Sequence, residues 1–325
     1  MTQAAGLSGF APLPRPLAAD GTPRLTGVEI ELGGLSEDRC AEICAQTLGG
    51  EAVQKDSVIW EVTGTRVGRL KVYLDIFLRK ADKTALRDAA LTLGREVIPV
   101  EIVSDPLDRD GLIALDTLRE ALRRAGALGS GGGLFFGFGV HLNVQIASET
   151  AADVVRPLLA YALIEDWLRA ANPIDQTRRV LPFTAPYPTA LVRALIALGP
   201  DAPLTAVVDA YGELAASRNH GLDMLPIFAH LAPDRIAPAL SGSTNARPAF
   251  HFRLPDCRID EADWSLDHGW RRWLTVERVA ANADLLAELS QAWQREHGAV
   301  TLTRGHWARC AGALLERHDL ADAGL

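Results

Sequence analysis

Six segments of the chain alternate between apolar and polar residues, and this period of two is the pattern of a half-buried β-strand. In the segment at residues 135–146, every second residue from Phe136 to Ile146 is apolar. The intervening stretches carry apolar residues at helical spacing, so the sequence predicts a fold in which strands and helices interleave. The predicted strands read RLTGVEIEL, SVIWEV, RLKVYLDIF, VIPVEIVS, FFGFGVHLNVQI and RPAFHFRLPD.

The polar sides of five of these strands carry carboxylates, imidazoles, an amide and a guanidinium, with glycines beside them. A solvated face would usually carry lysine, threonine, serine and glutamine instead. A clean division into an aliphatic and a polar face is common in antiparallel sheets. We therefore expect helices on the aliphatic face and one basin on the polar face. Its predicted members are Glu29, Glu31, Asp75, Glu101, His141, Asn143, His251 and Arg253.

The acids of this polar face favour a metal site. Glu29 and Glu31 lie two residues apart on one strand face, roughly 6–7 Å from each other. Their repulsion costs stability unless a cation or hydrogen bonds offset it. Together with Asp75 and Glu101 they form an oxygen-rich set that suits magnesium or manganese, with His141 as a nitrogen ligand or a phosphate contact. The alternatives are an exposed acidic stripe on an edge strand and an ordinary hydrogen-bonded histidine.

Composition narrows the class of protein. The chain has 325 residues, of which 48% are hydrophobic and 23% charged, and no apolar run reaches the ~18 residues that span a bilayer. The net charge of −8 disfavours nucleic acid and anionic lipid as partners. The first residues show no basic and apolar pattern of a secretory signal, which predicts a cytoplasmic protein. Cys40 and Cys44 are expected in the core rather than in disulfides.

Proline and glycine mark the predicted organisation. Residues 1–23 are proline-rich and are expected to form an extended arm, followed by one catalytic domain at 24–325. A mostly helical insertion is expected at about 150–240, and one long helix at about 268–295. Pro99 predicts that its strand is at an edge of the sheet or bulged there.

Several cations could bind an anion. Arg178 and Arg179 follow a predicted helix and are either surface cations or clamps for a phosphate or carboxylate. Arg253 lies on a face of acids, where it is either an ion-pair partner or the group that neutralises a transferring phosphoryl. The glycine-rich GSGGG segment lacks the GK[ST] end of a P-loop, so it is a connector or a lid.

Taken in order, the motifs resemble the amidoligase family, which belongs to the carboxylate–amine ligases with glutamine synthetase and glutamate–cysteine ligase. The resemblance covers roughly residues 25–290, and it depends on the order of motifs that are individually weak. The motifs are GVEIE, YLDIF, PVEIVSDPL, FGFGVHLNV, TRRVLPF, RNHGLDMLPIF and FHFRLPD.

The resemblance implies an α+β fold with a curved, mainly antiparallel sheet of the glutamine synthetase type and helices on the convex face. It implies that the concave face binds ATP and magnesium. His251 stands where relatives usually have a glutamate, which removes a negative charge from the basin. The metal ligands implied by the resemblance are Glu29, Glu31, Asp75, Glu101, His141 and His251.

The function that the resemblance implies is ATP-dependent joining of a small-molecule carboxylate to an amine through an acyl phosphate, with ATP and Mg²⁺ or Mn²⁺ as cofactors. Arg253 and Glu31 are the expected catalytic residues. A second hypothesis, prompted by His251, is a catalytically impaired nucleotide- or small-acid-binding protein. A metal-dependent hydrolase is a third, although no HExxH motif supports it. The expected cofactor-binding residues are His141, Asn143, Arg178 and Arg179.

Overall fold

A computed structural model describes residues 9–74, 99–130, 137–175, 178, 184–240, 244–297 and 304–321. Its strands are β1 (Thr26–Leu32), β2 (Glu51–Asp56), β3 (Ile59–Thr65), β4 (Gly68–Leu74), β5 (Val100–Ser104), β6 (Val140–Gln145), β7 (Leu222–Asp223) and β8 (Ala249–Phe252). They form one sheet in the order β2-β3-β4-β5-β1-β6-β8-β7, and every pairing is antiparallel. The predicted antiparallel sheet is confirmed.

The described residues also form ten α-helices, so the fold is of the mixed α/β kind. None of these helices is both long and apolar enough to cross a membrane. The helices are α1 (Glu37–Leu48), α2 (Arg109–Arg124), α3 (Ala151–Ala171), α4 (Thr189–Leu198), α5 (Leu204–Leu214), α6 (Leu225–Leu231), α7 (Pro233–Ile236), α8 (Leu266–Ala281), α9 (Ala283–Glu296) and α10 (Arg304–Arg317).

The core lies between the aliphatic side of the sheet and the helices. On β1, the side chains of Val28, Ile30 and Leu32 are buried, while Glu29 and Glu31 between them are partly exposed. Helix α1 packs on β3 and β4, α8 packs on β6, and α3 packs on α8 and α10. The central strands therefore contribute apolar side chains to the core and present their polar side chains on the opposite side.

Two local predictions were wrong, and two strands were missed. Pro99 immediately precedes β5, which is an interior strand between β4 and β1, so the proline removes no ladder hydrogen bond there. The long carboxy-terminal helix is two helices, α8 and α9, because Asn282 ends the first and accepts a hydrogen bond from Leu285 N–H at the start of the second. Strands β2 and β7 were not predicted. The first is almost entirely exposed, and the second has only two residues.

The described part of the amino-terminal arm packs against α8. The backbone N–H of Phe10 donates to the carboxylate of Asp267, and the Trp270 indole donates to the carbonyl of Ala11. Just before β1, Arg24 forms two hydrogen bonds of 2.8 and 2.7 Å with the carboxylate of Glu277. These contacts fix the start of β1, the strand that carries the two central glutamates. As predicted, Cys40 and Cys44 are fully buried thiols and form no disulfide.

Breaking the Arg24–Glu277 ion pair is expected to destabilise the fold. Their side chains are only 3% and 7% exposed, and removing one partner of a buried pair costs about 3–5 kcal/mol because the other charge stays buried. Urea denaturation of Glu277→Gln should show a loss of that size. The control is Asp209→Asn, whose pair with Arg235 is about half exposed and should cost less than ~1 kcal/mol. Equal losses in the two variants would contradict this account.

Candidate functional site

The strand register brings most of the predicted basin residues together on the polar face. In the sheet, β5, β1, β6 and β8 are consecutive neighbours. Glu31 lies opposite Glu101, and Glu29 lies opposite His141. Further along, Asn143 of β6 is opposite His251 of β8. Because directly opposed residues have Cβ atoms about 4.5–5.5 Å apart, these side chains form one continuous patch across four strands.

Glu31 and Glu101 form a carboxylate pair at the centre of this patch. Like charges directly opposite each other in a sheet are destabilising, and Glu29 adds a third carboxylate two residues away on β1. One oxygen of Glu31, Oε2, accepts a hydrogen bond of 2.6 Å from the backbone N–H of Gly139. Such crowding of carboxylates is stabilised when a cation lies among them.

Glu29, His141 and His251 form a second group, which we call the imidazole triad. One potential ligand atom from each of these residues lies within 4.8 Å of the others. Nδ1 of His141 is 2.8 Å from Oε2 of Glu29, and Nε2 of His141 is 3.6 Å from Oε1 of Glu31. Since a carboxylate only accepts, Nδ1 carries the hydrogen that Glu29 receives. The imidazole of His141 therefore links the triad to the carboxylate pair.

Asn143 connects the two ends of the triad. Its amide nitrogen donates to Oε1 of Glu29 at 2.7 Å, so its amide oxygen faces away from Glu29. That oxygen lies 2.8 Å from Nδ1 of His251 and 2.6 Å from Nη2 of Arg247. An oxygen can accept from both neighbours, which places a hydrogen on Nδ1 of His251. Asn143 therefore fixes the orientation of His251.

The electrostatic environment separates the charge states of these groups. Burial tends to raise the pKa of Glu29, but the hydrogen bond from His141, the charges of His251 and His141 and the hydrogen bond from Asn143 outweigh it, and the pKa falls well below its usual value. Burial lowers the pKa of His251 well below its usual value despite the nearby carboxylate of Glu29. The pKa values of both groups are therefore shifted downward, which favours the ionised form of Glu29.

Two guanidinium groups on the polar face have buried nitrogen atoms without a hydrogen-bond partner. These atoms are Nε of Arg247 and Nε of Arg253. Burial lowers the pKa of Arg253, while the charges of Glu31 and Asp223 oppose that shift. A buried donor without a partner costs about 1–3 kcal/mol. An anionic group bound at this face, such as a phosphate or carboxylate, would satisfy these donors.

Arg178 is placed differently from the other predicted anion-binding groups. It is buried, and Nη1 donates to the carbonyls of Leu254 and Pro255 and to Asp256. Its Nη2 donates to the carbonyl of Arg253 at 2.8 Å. Arg178 therefore holds the segment that follows β8 and carries Arg253. Two other predicted site residues, Asp75 and Arg179, lie outside the described residues.

The sequence alone predicts no role for two charged residues of this patch, Asp223 and Arg247. Asp223 is fully buried on β7 opposite His251, and it accepts hydrogen bonds from Arg218 and the backbone of Leu225. It stands in the RNHGLDMLPIF motif, but a two-residue strand gives no alternation to detect. Arg247 lies just before β8, and no local pattern distinguishes it from an exposed cation. Its contacts with Asn143 and His251 in the folded protein identify it.

A comparison with models of protein families shows to which family the chain belongs. A family model described as "putative amidoligase enzyme" matches residues 22–275. The chain belongs to the amidoligase family. Among curated proteins, none matches the chain significantly. The matched region of the amidoligase family runs from just before β1 into α8, and it includes every described strand.

Within the region that matches the amidoligase family, Gly139 lies so close to the side chains of Arg178 and His141 that a side chain at this position would not fit. A Cβ atom at this position would lie 2.8 Å from Nη2 of Arg178 and 3.2 Å from Nε2 of His141. The first distance is shorter than van der Waals contact allows, and Arg178 is held in place by several carbonyl groups. A side chain at position 139 would therefore displace one of these two groups.

Replacing Gly139 with alanine is expected to disturb the site and destabilise the fold by about 1–3 kcal/mol, the usual cost of overpacking. Urea denaturation measures that cost, and histidine-selective NMR should show a shifted His141 ring signal. Gly212→Ala is the matched control, since its Cβ would lie 3.4 Å from the flexible end of Ile236. In helix α5 that change should be neutral or stabilising. A Gly139→Ala variant with unchanged stability and spectrum would refute the close contact.

Proposed function

We propose that this amidoligase-family protein joins a small-molecule carboxylate to an amine with the use of ATP, through an acyl phosphate, on a curved sheet of the glutamine synthetase type. One observation supports the proposal most directly. Glu29, Glu31 and Glu101 lie on the same face of the sheet as two guanidinium groups whose buried Nε atoms have no hydrogen-bond partner. Carboxylates bind divalent cations, and guanidinium groups bind phosphate. A nucleotide triphosphate with its cation needs both.

The carboxylate pair fits magnesium in its chemistry. Mg²⁺ binds oxygen ligands and is usually held by one or two carboxylates together with substrate phosphates. Glu31 and Glu101 offer such oxygens side by side, and Glu31 already has one oxygen fixed by the backbone of Gly139. A bound cation would also remove the repulsion between these opposed carboxylates. When bound, magnesium would supply charge neutralisation for the phosphates.

The arginines fit the phosphate end of the nucleotide. Arg253 follows His251 on the polar face, and the Arg178 contact with its carbonyl group fixes its backbone. The Nε donors of Arg253 and Arg247 would gain acceptors from a bound phosphate. Fixed cations of this kind stabilise the charge that develops when a phosphoryl group is transferred.

The proposed reaction has two steps. A carboxylate is a poor electrophile, so an oxygen of the acid first attacks the terminal phosphorus of ATP, and ADP leaves. The amine nitrogen then attacks the carbonyl carbon of the acyl phosphate, inorganic phosphate leaves, and the amine loses a proton. In this scheme Arg253 neutralises the transferring phosphoryl group, and Glu31 lies where it can hold the cation near it.

Replacing either central glutamate with glutamine is expected to abolish the reaction while the fold survives. The assay contains ATP, Mg²⁺ or Mn²⁺, a panel of amino acids as acid substrates, and hydroxylamine as the amine, because hydroxylamine converts an acyl phosphate into a detectable hydroxamate. Glu29→Gln and Glu31→Gln should lower hydroxamate formation by about 100-fold or more, the loss typical of a missing electrostatic stabiliser. Glu42→Gln, on the exposed surface of α1, is the matched control and should keep full activity.

The outcomes separate the candidate functions. Hydroxamate formation that needs ATP and both glutamates supports the ligase. ATP binding measured by titration calorimetry, with neither phosphate release nor hydroxamate for any acid of the panel, contradicts the ligase and favours a non-catalytic binding protein. Cleavage of an added ester or amide by water without ATP, with no hydroxamate formed, contradicts it in favour of a hydrolase. Full turnover in both glutamine variants would exclude these glutamates from the chemistry.

A further inference from the structure

The imidazole triad differs in its donor chemistry from the carboxylate pair beside it. We propose that Glu29, His141 and His251 bind a divalent transition metal ion in preference to magnesium. The ion would serve the proposed ligase reaction, so its biological role rests on the proposed function. Its test, however, measures metal binding directly and needs no turnover.

Ligand type favours a transition metal here. Imidazole nitrogen suits zinc, iron, nickel and copper, while magnesium prefers oxygen and gives up its water reluctantly. The triad offers two imidazoles and one carboxylate, with one potential ligand atom from each residue within 4.8 Å of the other two. Three donors that close together on neighbouring strands can reach a single ion.

His141 is already oriented as a metal ligand. Nδ1 donates to Oε2 of Glu29 at 2.8 Å, and an ion that replaces this hydrogen would be bound by both atoms. The other ring nitrogen, Nε2, faces away from Glu29. The same Nε2 atom lies 3.6 Å from Oε1 of Glu31, so a further oxygen donor is close by. The ring of His141 is therefore held in place before any ion arrives.

His251 is oriented by Asn143 in the same way. The contact from its Nδ1 to Oδ1 of Asn143, at 2.8 Å, is shorter than the 3.1 Å contact to Arg247. Since Asn143 turns its amide nitrogen toward Glu29, its oxygen accepts from His251, and the lone pair of His251 is on Nε2. The ring itself is almost completely buried and lies edge to face with His141 at a centroid distance of 5.3 Å.

These contacts make Asn143 a positioning residue. It touches both Glu29 and His251, and its replacement would free both side chains without removing a ligand. Loss of such a supporting hydrogen bond typically costs 10–100-fold in metal affinity. If the triad is only a set of hydrogen-bonded side chains that binds no metal, replacing Asn143 will leave metal binding unchanged. The same experiment tests this alternative.

The binding experiment needs a background without a second metal-binding group. Glu296, His306 and Cys310 also place ligand atoms within 4.8 Å of one another, at the surface between α9 and α10. All measurements are therefore made on the full chain carrying His306→Gln and Cys310→Ser. Equilibrium dialysis with Mg²⁺, Mn²⁺, Co²⁺ and Zn²⁺ measures affinity, and the visible absorption of bound Co²⁺ reports nitrogen ligation. We expect Co²⁺ and Zn²⁺ to bind to the triad, and excess Mg²⁺ not to displace them.

Three variants of this background locate the ion. His251→Glu replaces the nitrogen donor by oxygen and should shift the preference toward Mg²⁺. Asn143→Ala should weaken Co²⁺ binding by about 10–100-fold and alter its absorption band. His230→Gln, at a histidine that is 35% exposed and paired with Glu149 on the surface, is the control and should change neither. Circular dichroism verifies that each variant is folded.

Equal affinity for Mg²⁺ and Co²⁺, or Co²⁺ binding that survives both His251→Glu and Asn143→Ala unchanged, would overturn the proposal. So would the absence of bound Co²⁺ in the folded background protein. Failure of the ligase reaction leaves these binding results unaffected, so the two proposals fail separately. A transition metal found at the triad together with no ATP turnover would support this inference and reject the ligase.

Discussion

The carboxylate of Glu29 accepts hydrogen bonds from two side chains of the neighbouring strand, and the rest of the site depends on this interaction. One oxygen receives His141 and the other receives Asn143. The first contact fixes an imidazole beside Glu31, and the second turns Asn143 so that its oxygen orients His251 on the next strand. A single charged group on β1 thus arranges side chains on the next two strands of the sheet.

The sheet makes this arrangement possible because its two faces carry different interactions. The aliphatic side is buried against helices and supplies the hydrophobic stabilisation. The polar side collects carboxylates at opposed positions, together with guanidinium nitrogens that lack partners. These unfavourable features are concentrated at one place, as is usual for sites shaped by a ligand rather than by stability. A bound cation and an anionic ligand would relieve both.

Sequence alone predicted the face on which each strand residue lies, since alternation determines it. It therefore predicted that Glu29, Glu31, Glu101, His141 and His251 share one side. It could not predict the register, because register depends on pairing between distant strands. The roles of Arg247 and Asp223 depend on that pairing and were missed. Arg178 is of a residue type that often binds anions. In the folded protein, however, it donates to backbone carbonyl groups of a distant segment, and the sequence does not reveal that contact.

The proposed ligase reaction requires that the polar face hold divalent cations and a triphosphate together. The most direct measurement is a crystal structure with a non-hydrolysable ATP analogue and Mn²⁺, in which anomalous scattering locates each manganese ion. The account predicts manganese peaks beside Glu31 and Glu101, with phosphate oxygens in contact with Arg253. Manganese and nucleotide bound elsewhere, with these three side chains touching neither, would contradict it.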